Sequence, residues 1–504
     1  MVRHDRNISE LWKSLPWKKF RVNLFRLQKR VFKAVCTGNK RKARSLQKLI
    51  LKSRAARFLA IRQVTQLNAG KKTAGIDGKT ALTFEERFSL EQVLQKPRWY
   101  HNKLRIIPIP KKNGTRYLKI PTIADRCWQC LAKYALEPAH EATFHANSYG
   151  FRSGRSAHDA QKQVFYNLNN HANGINKRIL ELDIESCFDR INHTTIMENL
   201  IAPQGLKQDI YRCLKAGINP EFPEQGTCQG GVISPLLANI ALNGIEEIHN
   251  SIRYADDMVF FLKPGEDENK LLEKISQFLA ERGLKVSEKK TKLTASIDGF
   301  DFLGWHFYVQ ENGKFRCTPS EENYENFRKK VKKIVNSSSY GAKVKAQKLA
   351  PIVRGWRNYH KFCKMDGSRH SLSSLRLRTF KVFNKETKQD RYSSKKLLDK
   401  AFPAVSYSEN RHIKIKGNKS PFDGDLVYWS ERNSKLYDGT TAKLLKKQNH
   451  TCAYCDLKLT SEERVHLHHK DGNHENWKWK NLEVVHETCH DYLHMSKREK
   501  TLKR

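Results

Sequence analysis

The stretch IRYADDMVFF, from Ile252 to Phe261, sets two acids side by side inside an apolar run. Alone, an Asp-Asp pair reads as a turn former, because aspartate tolerates irregular backbone and caps its own turn. Here the apolar flanks predict a hairpin with buried strands, and two like charges at the end of such strands need a cation. A second predicted strand, RILELDI (178–184), carries Asp183 near its end. If the two strands lie side by side with their ends together, Asp183, Asp256 and Asp257 form an oxygen-only ligand set of the kind that suits Mg²⁺. A pair of such ions is the apparatus of in-line phosphoryl transfer, the chemistry of a polymerase.

The rest of the chain supplies the polyanion for that chemistry. Its 504 residues are too many for one ordinary core, so two to four domains are expected. Lys and Arg number 94 against 52 Asp and Glu, a net charge of +42, far beyond what solubility requires. No stretch approaches the ~20 consecutive apolar residues of a membrane span, which leaves nucleic acid as the partner. The eleven cysteines are scattered, apart from one CxxC and a cysteine beyond it, a usage that suits a reducing compartment.

The first ~70 residues read as basic helices, with Leu24, Leu27, Val31 and Val35 on one face. LRIIPIPKKNGTRYLKIPT (104–122) reads as two strands joined by a turn, since its prolines exclude a helix. Strand and helix then alternate to about residue 305: SPLLANIALNGIEEI (234–248) as a helix, LLEKISQFLAERG (271–283) as a helix closing on Gly283, and LKVS (284–287) as a strand. Residues ~320–380 read as basic helices, and NKETKQDRYSSKKLLDK (384–400) as a flexible or RNA-facing region.

At the C-terminal end, Cys452 and Cys455 form a CxxC, and His486 and Cys489 an HxxC. Two close pairs of N/S ligands predict a structural Zn²⁺ site, which a small module needs in order to fold.

In order along the chain, LRIIPIPKKNG with IPTIADRCWQ, SYGFRSGRSAHDA, LDIESCFDRINH, GTCQGGVISPLLANIALNG, RYADDMVFF and DGFDFLGW resemble successive blocks of the group II intron-encoded reverse transcriptases and maturases. The resemblance implies a multidomain α+β fold: a right-hand polymerase with fingers and an antiparallel palm sheet, an α-helical thumb or maturase X domain, and a small zinc-stabilised ββα-metal HNH domain. The expected boundaries are a basic extension at 1–80, fingers and palm at 81–310, thumb at 311–385, a basic DNA-binding or linker region at 386–440 and the HNH domain at 441–504.

By this resemblance Asp183, Asp256 and Asp257 are the catalytic, Mg²⁺-binding carboxylates. Phe188 is similar to the aromatic gate that excludes a 2′ hydroxyl. Arg116 and Lys111 resemble the residues gripping the incoming triphosphate, Gln229 and Gly230 the loop lining the nucleotide pocket, and Lys290 the lysine near the leaving phosphate. Two departures stand out: Cys228 replaces the family's usual proline, so a less rigid pocket loop is expected, and the turn before Arg116 is one residue shorter than usual. IVRGWRNYHKF (352–362) resembles the start of the X domain, where Gly355, Trp356 and Tyr359 are expected to pack helices while the surrounding cations contact RNA.

HLHHKDGN (466–473), followed by NL and CH, resembles the HNH nuclease motif. It implies His469 as general base, His468 and His490 as ligands of a nuclease metal such as Mg²⁺, and Asn481 as the brace of the base, with His466, His468 and His469 able to exchange roles. The function implied is RNA-directed DNA synthesis, maturase-assisted splicing, and DNA nicking for target-primed reverse transcription. The alternative is an RNA-binding splicing maturase with vestigial polymerase and nuclease modules, against which the intact carboxylates and His469 argue. Implied partners are group II intron RNA, target double-stranded DNA and deoxynucleoside triphosphates, without a membrane, and with a homodimer left open. The implied location is a prokaryotic cytoplasmic or nucleoid ribonucleoprotein, or a plastid or mitochondrial matrix.

Overall fold

The computed structural model describes residues 8–494 except 112–113, 217–222, 229, 366–369, 438, 457–458, 460–464, 488 and 491–492; of 69, 71, 111, 116 and 433–436 it describes the backbone alone. Its strands are β1 (Arg105–Lys111), β2 (Gly114–Ile120), β3 (Arg178–Leu182), β4 (Ser251–Tyr254), β5 (Asp257–Leu262), β6 (Lys292–Ala295), β7 (Phe300–Phe302), β8 (Trp305–Val309), β9 (Phe315–Pro319), β10 (Val465–His469) and β11 (Leu482–His486). They form an antiparallel central sheet of order β4-β5-β3-β6, a three-stranded sheet β7-β8-β9, and the hairpins β1-β2 and β10-β11.

The strands β3, β4 and β5 of the central sheet are buried on both faces, which explains why MVFFL runs apolar without alternation, while the edge strand β6 is largely exposed. Leu180, Leu182, Met258, Phe260 and Leu262 face a core shared with the N-terminal helices Trp17–Cys36, Lys40–Lys52 and Arg54–Arg62 and with helix Ile123–Glu141. Ile179, Ile252, Val259 and Phe261 face a second core containing Trp305, Phe307, Cys363 and Trp429. Each fully buried Phe contributes about 1.5–3 kcal/mol, and this burial holds the strand whose end carries the acids.

Leu24, Val31 and Val35 are buried as their spacing predicts, with Leu27 packed at the edge. The helix expected over 234–248 stops at Leu242: Gly244 has φ +103° and Ile245–Glu247 forms a separate 3-10 turn. LKVS contributes a single bridge, Val286 to Ile184, and no strand.

A third core joins helices Glu321–Val335, Ala342–Tyr359, Ser373–Glu386 and Arg391–Ala401. The stretch 384–400 is therefore not a flexible region: Leu398, Ala401 and Phe402 are buried against Leu349 and Val353. Trp356 stacks on Phe327 at 4.5 Å and donates to Asn323, so it packs helices as expected. Tyr359 instead packs its helix on β8, stacking on Trp305 at 4.5 Å, and Gly355 is exposed, with no neighbour within 4 Å of where a Cβ would stand. Beyond this unit the chain returns to the first half. The buried Asp159 carboxylate receives Ile415 N (2.9 Å), an Arg432 guanidinium N–H (2.7 Å) and pairs with His412 Nε2 (3.1 Å).

Candidate active site and metal centres

Tyr254 pairs with Asp257, so Ala255 and Asp256 form a two-residue hairpin turn. Ala255 has φ +62°, the left-handed conformation such turns require of their first residue. Gly150 lies directly beneath: a Cβ there would stand 2.3 Å from Ala255 N, so only glycine fits. On the neighbouring strand Leu182 pairs with Met258, one residue before Asp183 and one after Asp257, and Asp183 lies close enough for its charge to act on the Asp257 carboxyl.

Lys290 enters this end of the sheet through a short chain of backbone contacts. Ser287 N donates to Asp183 O at 2.9 Å, Lys290 N to Ser287 O at 3.1 Å, and Lys290 Nζ to Asp183 Oδ2 at 2.6 Å. Desolvation, reinforced by the charges of Asp256 and Asp183, pushes the Asp257 carboxyl up to about 6, although the residue as a whole is exposed at the sheet end. The structure thus gathers the three acids at one sheet end without closing all their oxygens to within 4.8 Å of one another. Hard oxygen donors, one of them resisting ionisation among like charges, fit a divalent cation such as Mg²⁺.

The hairpin rests on a buried network absent from the predicted site. The Arg253 guanidinium donates to Glu246 Oε1 (2.5 Å), Asn239 Oδ1 (2.7 Å) and Ala255 O (3.2 Å), and Asn239 Nδ2 donates to Gly150 O (2.9 Å). Burial alone would raise the Glu246 carboxyl, but Arg253 holds it below its ordinary value. The available signal was Arg253 itself, a charge in a buried strand that demands a partner.

The nucleotide-pocket candidates converge on Lys119 near the end of β2. Thr227 N donates to Phe188 O at 2.6 Å, and Lys119 Nζ to Asp189 Oδ1 at 3.0 Å. A Cβ on Gly230 (φ +124°) would lie 3.3 Å from Lys119 O. Phe188 is half-buried at the edge of the main core. Cys228 corrects the expectation of a looser loop: its thiol is buried, burial pushes it up to about 12, and it donates to Lys119 O at 2.6 Å, an anchor in place of the proline ring. Lys111 pairs with Gly114 and Ile109 with Arg116 across the β1-β2 hairpin. The side chains of Lys111 and Arg116, and Gln229 entirely, lie outside the described residues.

In the C-terminal module the ligand atoms of Cys452, Cys455, His486 and Cys489 all lie within 4.8 Å of one another, and all four residues are buried. Three thiols and an imidazole so placed fit Zn²⁺. His468, His490 and His494 form a second such group. His494 was not foreseen, although His490 and His494 stand four residues apart, the spacing of one helical face. His469 stands outside that group: it is 5 % exposed, neither ring nitrogen has a hydrogen-bond partner among the described residues, and its ring meets His474 and Trp477 edge to face. His466 pairs instead with Glu487 at 3.5 Å. Asn481 does not touch His469; its amide donates to Asp471 Oδ1 (3.0 Å) and Asn476 O (2.9 Å), bracing the loop between β10 and β11.

Comparison with known proteins matches residues 109–307 to the family "Reverse transcriptase (RNA-dependent DNA polymerase)". Residues 12–94 match "N-terminal domain of reverse transcriptase", and 324–402 match "Group II intron, maturase-specific domain". Maturase-like protein 1 of Euglena gracilis is 43% identical over 413 residues, covering 80% of this chain and 90% of the relative. Its counterpart in Euglena longa is 38% identical, covering 81% and 90%. The group II intron-encoded protein LtrA of Lactococcus lactis subsp. cremoris is 29% identical over 331 residues, covering 49% of this chain and 54% of the relative.

Proposed function

The chain belongs to the group II intron reverse transcriptase and maturase family, and from that premise we propose that the end of the central sheet is its polymerase site, with Asp183, Asp256 and Asp257 as metal-binding carboxylates. The observation that carries this reading is the Leu182–Met258 pairing, which brings Asp183 and Asp257 to the same end of the central sheet, with Lys290 at hydrogen-bond distance from Asp183. Asp183, Asp256 and Asp257 would hold Mg²⁺, which when bound would supply activation of a primer hydroxyl and charge stabilisation for the leaving pyrophosphate. The protein's own residues do the rest. The Arg253–Glu246 pair and Gly150 fix the hairpin, and Lys290 brings an ammonium to the edge where leaving-group charge develops. Phe188 and the Cys228–Gly230 loop border the nucleotide, and Arg116, with Lys111, grips its phosphates.

The helical unit from Glu321 to Ala401, with the basic N-terminal helices, is the surface for structured intron RNA, whose phosphates and 2′ hydroxyls suit many dispersed cations. The C-terminal module is a DNA-nicking nuclease with Cys452, Cys455, His486 and Cys489 on Zn²⁺, His468, His490 and His494 on a catalytic cation, and His469 as general base. What favours this reading is a buried imidazole with two unused nitrogens beside a three-histidine cluster.

Primer extension on an RNA template with Mg²⁺ tests the first reading: Asp256→Ala should abolish it and leave intron RNA binding intact, and continued synthesis would remove the carboxylates from the reaction. His469→Ala should stop DNA nicking and spare splicing; loss of splicing with retained nicking would make the module structural.

A further inference from the structure

The loop between β10 and β11 carries the sequence Trp477-Lys478-Trp479-Lys480, which no part of the proposed chemistry uses. Trp477 is 60 % exposed and Trp479 45 % exposed, beside the exposed ammonium groups of Lys478 and Lys480. Two large indoles left in water within three residues are unfavourable unless something covers them. Their setting is firm. Asp471 accepts from Asn473 N (2.8 Å), Asn476 Nδ2 (2.7 Å) and Asn481 Nδ2 (3.0 Å), and Lys478 N donates to Asn476 Oδ1 (3.3 Å). These bonds also occupy the loop's Asp471, and among the described residues neither Lys478 nor Lys480 has an acidic partner at salt-bridge distance, so two ammonium groups flanking the indoles, against the single exposed Glu475, stand ready for an anion.

We propose that Trp477 and Trp479 form a stacking platform for unpaired bases of a DNA strand, with Lys478 and Lys480 on its phosphates. Rigid aromatic rings interleaved with cations suit single-stranded nucleic acid, since every base has a π face and stacking tolerates any sequence. The position of the platform gives it a purpose. The Trp477 ring stands 5.4 Å from that of His469 at 88°, which sets the platform beside the proposed general base. A duplex opened at the nick would present such bases. This placement beside the cut rests on the nuclease reading of His469; the platform itself does not.

The probe is a mixed-sequence single-stranded DNA oligonucleotide carrying iododeoxyuridine, which photocrosslinks to a stacked aromatic ring. The full chain is irradiated with it and the crosslinked peptides are read by mass spectrometry. A crosslink on Trp477 or Trp479 is expected, retained in Trp477→Phe and reduced about 100-fold in the Trp477→Ala, Trp479→Ala double variant, the loss anticipated for removing two stacked bases at about tenfold each. Zinc content and RNA-templated primer extension of the double variant should match the parent, showing that the module and the palm remain folded. No crosslink in the 465–486 region, or one that survives the double variant, overturns the proposal. So does crosslinking by an RNA of the same sequence and not by the DNA. His469→Ala separates the two readings: a crosslink with parental nicking activity overturns the nuclease assignment and leaves the platform standing, whereas nicking lost through His469→Ala with no crosslink does the reverse.

Discussion

Lys290 Nζ lies 2.6 Å from Asp183 Oδ2 at the end of the central sheet, a cation held against one of the three carboxylates proposed to bind Mg²⁺. The pair raises the Lys290 ammonium above its ordinary value through the Asp183 hydrogen bond, opposed by desolvation. A positive charge here both lowers the net negative charge offered to a metal and stands ready at the leaving group. Lys290→Ala should therefore lower the Mg²⁺ concentration giving half-maximal primer extension while reducing the maximal rate by about 100-fold, the lower range for losing a positioned acid. Extension rates titrated with Mg²⁺ separate the effects; an unchanged maximal rate would mean that Lys290 serves only as a counter-charge.

Asp257 gives the site a pH signature. Burial and the neighbouring Asp256 and Asp183 raise its carboxyl from 3.8 to about 6, and a protonated carboxyl is a poor ligand. At limiting Mg²⁺, primer extension should rise as pH increases through about 6, and saturating Mg²⁺ should move that midpoint lower. Without metal the linkage runs the other way for stability. The folded state binds the extra proton between 3.8 and about 6, so this contribution is present at low pH and is lost as pH rises through about 6. Asp257→Asn should thus melt higher than the parent at pH 7.5 in metal-free buffer, with the gap closing near pH 4. Thermal melts across that window, paired with activity, check both signs.

Gly150 is where the hairpin is most exposed to a small change. The methyl of an alanine would stand 2.3 Å from Ala255 N and 2.8 Å from Tyr254 C, both backbone atoms that cannot swing aside. Gly150→Ala should displace the turn bearing Asp256 and reduce the rate of nucleotide addition by about 100-fold, the scale of a misplacement near 1 Å. RNA affinity, carried by distant cations, should hold. Single-turnover extension and RNA binding on the same variant give the comparison, and parental rates would show that the turn tolerates displacement.

The hairpin and strand carrying the three acids were legible because local patterns specify them: an apolar run interrupted once by charge, and a strand ending in Asp183. What escaped has no local pattern. Arg253 finds Glu246 and Asn239 only after helix 234–242 folds back on β4. Asp159 closes a capping box with Ser156 at the start of its helix, and it also receives Arg432 from 273 residues away. No periodicity reports such a contact, so nothing local in the segment 386–440, expected as a basic DNA-binding or linker region, told that its Trp429 completes the second core. Cys228 misled for a related reason: a proline's rigidity can be inferred from residue type, whereas a thiol's bond to Lys119 O requires the neighbouring hairpin to be in place.

The two metal sites proposed for the C-terminal module should come apart under mutation. Cys452, Cys455, His486 and Cys489 are all buried, which suits the proposed fold-holding zinc site, and Cys489→Ala should then release zinc and unfold the β10-β11 hairpin. His494 is only partly buried with His468 and His490, so His494→Ala should keep its zinc and its fold. Its loss leaves two imidazoles where three stood, and weaker binding of the catalytic cation follows. DNA nicking should then need a higher divalent-ion concentration in His494→Ala and be absent in Cys489→Ala at any concentration, while RNA-templated synthesis persists in both. Elemental analysis of zinc beside nicking assays titrated with Mg²⁺ or Mn²⁺ reads the separation. Zinc lost from both variants would merge the clusters into one site, and zinc retained in both would remove Cys489 from the structural set.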